Sequence, residues 1–543
     1  MMMHKPGIAT QALAAITMAA PFALPISAKA VQYPGPSPQF YSDPYYQCHS
    51  YYYVSASGQN SGNGSQSNPW PSLQDANNFA NRSGKLSAGA CVEVSPGTYN
   101  GVWLTQSGST ASASGYIVYR CTKMDACTIN GTAGPNGNAG FYSATDTGTK
   151  YPPANYTIID GFTITGNGSV YGVGVEFAGS SNGKPDIFGS HHDWVLNSVI
   201  SHFGQGGIGF SEGDYTYAVH NLIYGNAWAE SCDNGAQGSG LGDVIALDIT
   251  YAYPKYAPTP DDKVNPNPFI GSFMNGSHWF HKAYEWNIVA NNFLSPCGTG
   301  DTDGNNIIID TFGIGNGNPG PAYPDQTLIA FNKIFNAGGG GIHVFYSEYV
   351  TVANNSVYNN HLDPYEQSGG AAIDSINSYG NTFINNIAVG IPAYNDNGQD
   401  CAFFTTPYAK FNNAINGSLL VANKSEPNPP PDTFSHNITQ LQGGNYSCWG
   451  QHGQMPPSGE IGLWNGDTYP TNMVKGVPAN KVNTNPKWVA VGNVTTGNEY
   501  TSPWGRNFAL QGDSPAIGYG LKEEYLPAES EDVGACAHTL RTC

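Results

Sequence analysis

Charge is scarce in this chain. Only 11% of its 543 residues are Asp, Glu, Lys or Arg, and 39 acidic residues outnumber 20 basic ones. The net charge of −19 makes nucleic acid or an anionic membrane surface an unsuitable partner, since both attract through Lys and Arg. Beyond the first thirty residues no uninterrupted apolar run approaches membrane-spanning length, so no spanning helix is expected. The cysteines show no zinc-ligand spacing, and neither a G-x-S-x-G nucleophile elbow nor a phosphate loop occurs.

Glycine, by contrast, is abundant at 68 residues, alongside many Asn, Ser and Thr. Such a chain is poor helix material and suits many short strands joined by tight turns. Residues 1–30 carry Lys5, an apolar run from Ala12 to Ile26, and Ala28-Lys29-Ala30, the pattern of a secretory signal peptide. Export to an extracellular or periplasmic space is therefore expected. The ten cysteines all follow that segment and suit an oxidising compartment, where they read as structural bridges. Cys121 with Cys127 and Cys536 with Cys543 are candidate pairs.

Two interleaved series of short segments emerge when the chain is aligned with itself. One carries Asn at or just before a strand: LNSVISH at Leu196, HNLIYGN at His220, NNFLS at Asn291, FNKIFN at Phe331, NNSVYNN at Asn354 and NNIAVG at Asn385. The other alternates: GVGVEF from Gly172, GIGFSE from Gly207, DVIALDI from Asp243, NIIIDTF from Asn306, GIHVFYS from Gly341 and AAIDSI from Ala371. Without insertions the asparagines recur after about 23 to 24 residues, a coil length found in β-solenoids. Stacked parallel strands explain both series, and Asn292, Asn332, Asn355 and Asn386 are expected to stack as a hydrogen-bonded ladder. A Gly-rich antiparallel sandwich predicts no such register.

The segment YYVSASGQNSGNGSQSNPWPSLQDANNFA, then VEVSPGTYNGVWLTQSGS, resembles the opening of secreted right-handed parallel β-helix proteins of the pectate-lyase-like superfamily, nearest to its family-9-like polysaccharide lyase branch. SPAIGYG with EDVGA resembles that group's closing coil, and TDGNNIIID and GGGGIHVFYSEYVTVANNSVYNN resemble its helix repeats. The expected architecture is all-β: a single-stranded right-handed parallel β-helix (β-solenoid) with long loop insertions. A capping segment spans 31–90, the helix 91–390 with an insertion at about 253–281, and an irregular segment with a closing coil 391–543.

Alternation along a strand fixes which side chains face inward. With Ile307 and Ile309 inside, Asp310 faces out. The same alignment predicts one outward column of Glu176, Ser211, Asp248, Asp310, Phe345 and Asp374. Coils stack about 4.8 Å apart, so Asp248 and Asp310, taken as neighbours, would hold carboxylates roughly 5 Å apart. Such a pair needs a cation, a shared proton or a catalytic task; otherwise the column is a solvated acidic stripe. Asp301, Asp303 and Asn305 bring further oxygens beside it, although Asn306 and Phe312 stand where an EF-hand requires Gly and Glu. A hard cation such as Ca²⁺ on Asp248, Asp301, Asp303 and Asp310 fits the oxygen count. Trp279, Tyr251, Phe345 and Tyr346 supply aromatic faces for sugar rings. His343 lies on the outward face two residues from the column. His281 and Lys282 close the insertion, and the consecutive His191 and His192 suit a turn or surface role.

The resemblance implies a polysaccharide lyase, with calcium held by the four aspartates and Lys282 as the base. A retaining glycoside hydrolase using Asp248 and Asp310 fits their expected separation. A non-catalytic glycan-binding β-helix is the third reading. All three expect a polysaccharide or oligosaccharide partner for a monomeric chain.

Overall fold

Each repeat of the chain contributes three short strands, and each strand hydrogen-bonds to its equivalents in the coils before and after. The computed structural model describes residues 48–77, 86–109, 115–133, 139–144, 154–166, 172–178, 190–227 except 212 and 214, 239–244, 280–292, 304–310, 326–360 except 346, 371–390 except 379, 401–407, 432–441, 461–463, 474–475, 479–491 except 482–483, 506–523, 526 and 531–536. All belong to one compact unit, Tyr33–Cys543. Within one coil the chain passes through sheet I (for example Asp193–Leu196), sheet II (Val199–Ser201) and sheet III (Gly206–Ser211) before returning to sheet I at Tyr217–Val219. Among the described residues sheet I has 12 strands and sheets II and III have 10 each. Every pairing within them is parallel, the architecture of the right-handed parallel β-helix expected above.

The interior is a stack of like residues: Val195, Ala218, Tyr284, Ile329, Val352 and Phe383 from sheet I, Ile200, Ile223, Val289, Ile334 and Val357 from sheet II, and Ile208, Leu241, Ile307, Ile342 and Ile373 from sheet III. Where sheet I turns into sheet II, two residues suffice. The first adopts positive φ in every such coil, from Asn197 (48°) through His220 (57°), Trp286 (58°), Phe331 (56°), Asn354 (52°) and Asn385 (56°) to His436 (56°). Aromatic residues are costly in this conformation, and here their rings stack on one another: Trp286 and Phe331 lie 4.2 Å apart, centroid to centroid.

The second corner residue builds the asparagine ladder. Asn221, Asn287, Asn332, Asn355, Asn386 and Asn437 each donate Nδ2–H to the Oδ1 of the next, the last to Asn480, at 2.9 to 3.1 Å. Each amide also donates back to a strand carbonyl of the preceding coil, as Asn355 does to Ile329 at 2.9 Å. Asn332, Asn355 and Asn386 thus stack as expected. Asn292 does not join them. It belongs to a second ladder, Asn226–Asn292–Asn306–Asn360, one corner further on. The first ladder also carries the helix past the expected limit at 390, because Asn437 and Asn480 continue it alongside the strands Cys401–Pro407, Asp432–Ser435, Ile438–Leu441, Ile461–Leu463 and Val474–Lys475. At the other end Ser50–Val54 pairs with Ala90–Val94 and extends sheet I.

Cys121–Cys127 and Cys48–Cys91 are disulfides. Cys536 is also disulfide-bonded, whereas Cys543 lies outside the described residues. No described cysteine is free. No helix among the described residues is long and apolar enough to cross a membrane. The expected signal segment and residues 253–279 of the expected insertion also lie outside the described residues, whereas Phe280 and His281, at its expected end, already belong to the strand Phe280–Glu285.

Candidate functional site

Two of the three outer faces are covered. On sheet I the outward residues Trp194, Tyr217, Ala283, Leu328, Val219, Ala330 and Ala353 form a second buried apolar cluster, so its strands are hydrophobic on both sides. On sheet II the strands Trp488–Ala490 and Asn507–Leu510 pair as an antiparallel ribbon whose aromatic rings meet the outward ones. Phe508 meets Phe335 at 5.6 Å, Trp488 meets Tyr358 at 5.9 Å, and the Arg506 guanidinium lies over both outward rings. Sheet III varies along its length: Glu176, Ala178, Gly209 and Phe345 on its outer face are half-buried, whereas Ile308, Asp310, His343 and Asp374 on the same face are buried.

The register of sheet III corrects the expected acidic column. Glu176 lies opposite Gly209, followed by Gly242, Ile308, His343 and Asp374. A neighbouring column, two residues along, reads Ala178, Ser211, Val244, Asp310, Phe345 and Ile376. Ser211, Asp310 and Phe345 therefore share a column as expected, but Glu176 and Asp374 stand in the other. Both shifts are even, so the outward parity of every residue is preserved. Asp248 is not opposite Asp310; Val244 is, four residues earlier, because the strand spans Ser239–Val244 and places Leu241 rather than Ile245 opposite Ile307. Asp248 itself, with Asp301, Asp303, Trp279 and Tyr346, lies outside the described residues.

Asp310 points away from the core, since Ile307 and Ile309 fill it, yet only 4% of the residue is exposed. The outward position is thus a covered one. Lys282 is fully buried, in register with Thr327 and, one coil on, with the core residue Val350. It occupies the inward side of sheet I, so it has no place on a substrate-facing surface. His191 and His192 are likewise buried, at the corner before sheet I, where the His192 ring stacks between Tyr156 and Tyr215 at 4.5 and 4.4 Å.

Two expected site residues are brought together. His343 Nδ1 and Asp374 Oδ1 lie 2.5 Å apart across adjacent coils, with Asp374 fully buried. The imidazole stacks on Phe345 with centroids 5.3 Å apart. Asp374 needs the room that Gly340 leaves. A Cβ there would sit 3.3 Å from Asp374 Oδ2 and 3.0 Å from Asn305 Oδ1, which accepts the Gly340 amide at 2.6 Å. Asn305 thus holds the Gly340 backbone that borders Asp374. A buried carboxylate on one imidazole nitrogen fixes the tautomer and leaves Nε2 to accept a proton. Glu176 carries a carboxyl that burial alone pushes up to about 7.

Among the described residues no group of three or more His, Cys, Asp or Glu is placed to hold a metal. Asp310, the one described member of the expected calcium set, has Val244 and Phe345 beside it in its column, and neither offers a side-chain oxygen. The other three expected calcium ligands, Asp248, Asp301 and Asp303, lie outside the described residues.

Two further ionisable groups escaped the sequence reading. Glu285, outward on sheet I between Val219 and Ala330, is 1% exposed with neither carboxyl oxygen hydrogen-bonded, and desolvation pushes it up to about 8. Lys333, outward on sheet II, is pushed down to about 8 by burial. Alternation marks both as outward; only the covering of those faces makes them unusual.

No known protein family matches the chain, and no curated protein matches it. Its fold resembles several solved structures at low identity. Pectate lyase Pel9A is 13% identical over 90% of this chain and 96% of its own, with a TM-score of 0.42. A GH136 lacto-N-biosidase from Eubacterium ramulus is 12% identical over 80% and 68%, also at 0.42. A rhamnogalacturonan lyase is 12% identical over 82% and 91%, at 0.36.

Proposed function

We propose that the protein is a secreted carbohydrate-active enzyme that cleaves an acidic polysaccharide by β-elimination on the outer face of sheet III. The observation that carries this reading is the His343–Asp374 pair: a buried carboxylate bonded to an outward imidazole beside an aromatic ring. Elimination from a uronide requires removal of the C5 proton and departure of the C4 oxygen. In this scheme Nε2 of His343 takes the C5 proton, Asp374 holds the ring and stabilises the imidazolium, and a double bond forms between C4 and C5 as the C4–O bond breaks. Asp310, one coil earlier and two residues along, faces the leaving oxygen and supplies its proton directly or through water. Phe345 offers its half-buried ring to a sugar face. His343 thereby replaces Lys282 as the base. The alternative hydrolase pair, Asp248 with Asp310, includes a residue outside the described ones, and Val244 is the register neighbour of Asp310. No step is routed through calcium, since three of its four expected ligands lie outside the described residues.

The test is a panel of plant and bacterial glycans read in parallel for ultraviolet absorbance of unsaturated products and for new reducing ends. Elimination gives both. Reducing ends without absorbance would mean hydrolysis, and neither would mean binding alone. For the active glycan, His343→Ala should lower turnover by at least about a hundredfold, the usual cost of a lost general base.

A further inference from the structure

Behind the His343–Asp374 pair lie two adjacent asparagines at the start of the strand Asn305–Asp310. Asn305 Oδ1 accepts the Gly340 N–H at 2.6 Å, and the Asn306 N–H donates to Gly340 O at 3.0 Å, so both polar groups of that glycine are held by one dipeptide. Gly340 in turn borders the pair. The point where its Cβ would stand lies 3.3 Å from Asp374 Oδ2, and the Gly340 backbone thus closes the space into which that oxygen could swing. Asn305 is 4% exposed and Asp374 fully buried, so this support reaches the pair from within the fold and offers no surface to a ligand.

The dipeptide is anchored by an exception to the second asparagine ladder. Ala337 stands where the amide after Asn292 is due: its N–H donates to Asn360 Oδ1 at 3.0 Å, as a ladder residue does, but it has no side-chain amide. Asn306 fills the gap from the strand. Its Oδ1 accepts from Asn292 Nδ2 at 2.8 Å, and its Nδ2 donates to Asn360 Oδ1 at 3.0 Å and to Phe335 O at 3.1 Å. Three successive coils are thereby tied to the strand immediately beside Asn305.

We propose that Asn305 is a positioning residue for the His343–Asp374 pair: by holding the Gly340 backbone against Asp374 it keeps the carboxylate in line with His343 Nδ1, while Asn306 keeps Asn305 in place. Its bearing on the reaction rests on reading His343 as the base. A base whose orienting carboxylate can rotate loses the fixed direction of its reactive nitrogen, and groups that hold such an orienting partner typically matter by ten- to a hundredfold in activity.

The experiment follows the Nδ1–H proton of His343 by NMR in protein carrying isotopically labelled histidine, the signal being identified by its loss in His343→Ala. A bond of 2.5 Å to a carboxylate gives that proton a far-downfield resonance. Asn305→Ala should shift or broaden it and, on the active glycan, lower kcat by at least about tenfold with KM unchanged. Gly340→Ala, which leaves Asn305 intact and sets a methyl between it and Asp374, should do the same. Asn386→Ala, a change in the first ladder, controls for stability: whatever melting temperature it loses, it should leave the resonance and kcat as in the parent. Both readouts unchanged in Asn305→Ala and Gly340→Ala would overturn the proposal, and so would losses in Asn386→Ala that match theirs. If no glycan is cleaved, the reading of the reaction fails, and the resonance alone still decides whether Asn305 holds the pair.

Discussion

The corner between sheets I and II and the passage from sheet III back to sheet I are built on opposite rules. The first is two residues long in every coil from Asn197–Ser198 to His436–Asn437, and its asparagines are locked to the coils on both sides. The second ranges from residues 379–381 in one coil to 245–279 in another. The fixed corner sets how coils register, and this frees the other passage to change length without disturbing the strands. The proposed site gathers where the chain is not counted: Asp310 and Phe345 stand at the ends of their strands in sheet III, just before such passages.

The sharpest way to break this contrast is to damage the fixed corner. Asn355→Leu removes a donor to Ile329 and Asn386 and an acceptor for Asn332, all buried. Leaving those groups unsatisfied should cost about 3–5 kcal/mol, visible as a lowered denaturant midpoint. An unchanged midpoint would show that the ladder does not hold the coils.

A second test contrasts the covered face of sheet I with the face of sheet III. Unfolded Glu285 ionises above its ordinary 4.5, the folded residue only above about 8. Between those values the folded state binds the extra proton, so stability falls as pH rises through the window. Glu285→Leu has no such loss. The variant should gain on the parent progressively from pH 5 to pH 8, by on the order of 3 kcal/mol at the top, and the gain should then level off. Parallel melting-temperature profiles for the two proteins would contradict the assignment.

On sheet III the effect should be catalytic rather than structural. Asp374→Asn is expected to lower turnover by about a hundredfold, equivalent to about 2.7 kcal/mol of barrier, with the melting temperature nearly unmoved. Equal losses of activity and stability would place the pair among structural residues. The smallest effect belongs to the C-terminal segment. Asn385 donates to Leu521 O and accepts from its amide at 2.9 and 2.7 Å. Asn385→Gly keeps the positive φ and removes both bonds, for about 1 kcal/mol, read as faster hydrogen exchange at Leu521 but not at Ile329.

Parity was legible in the sequence and register was not. Alternation in NIIID gives Ile307 and Ile309 to the core and Asp310 to the outside. It gives the same answer after a slip of two or four residues, which is how Asp374 and Asp248 came to be aligned with Asp310. Only the hydrogen bonds between coils distinguish those alignments. The asparagine repeat was visible because its spacing is short where insertions are absent, but Asn292 looks like Asn332 until the corners are counted. The burial of Lys282 was hidden for another reason: its strand follows a long insertion, so no periodic neighbour announced which side it faced.

Each rung of the ladder is made between adjacent coils alone, and every rung has the same donor and acceptor at its two ends. Removing one whole turn of the helix would therefore bring together two halves that already match, and adding one would create two matching joints. The working face of such a protein can lengthen or shorten in the course of descent by steps of one coil, each about 4.8 Å, without redesign of the rest.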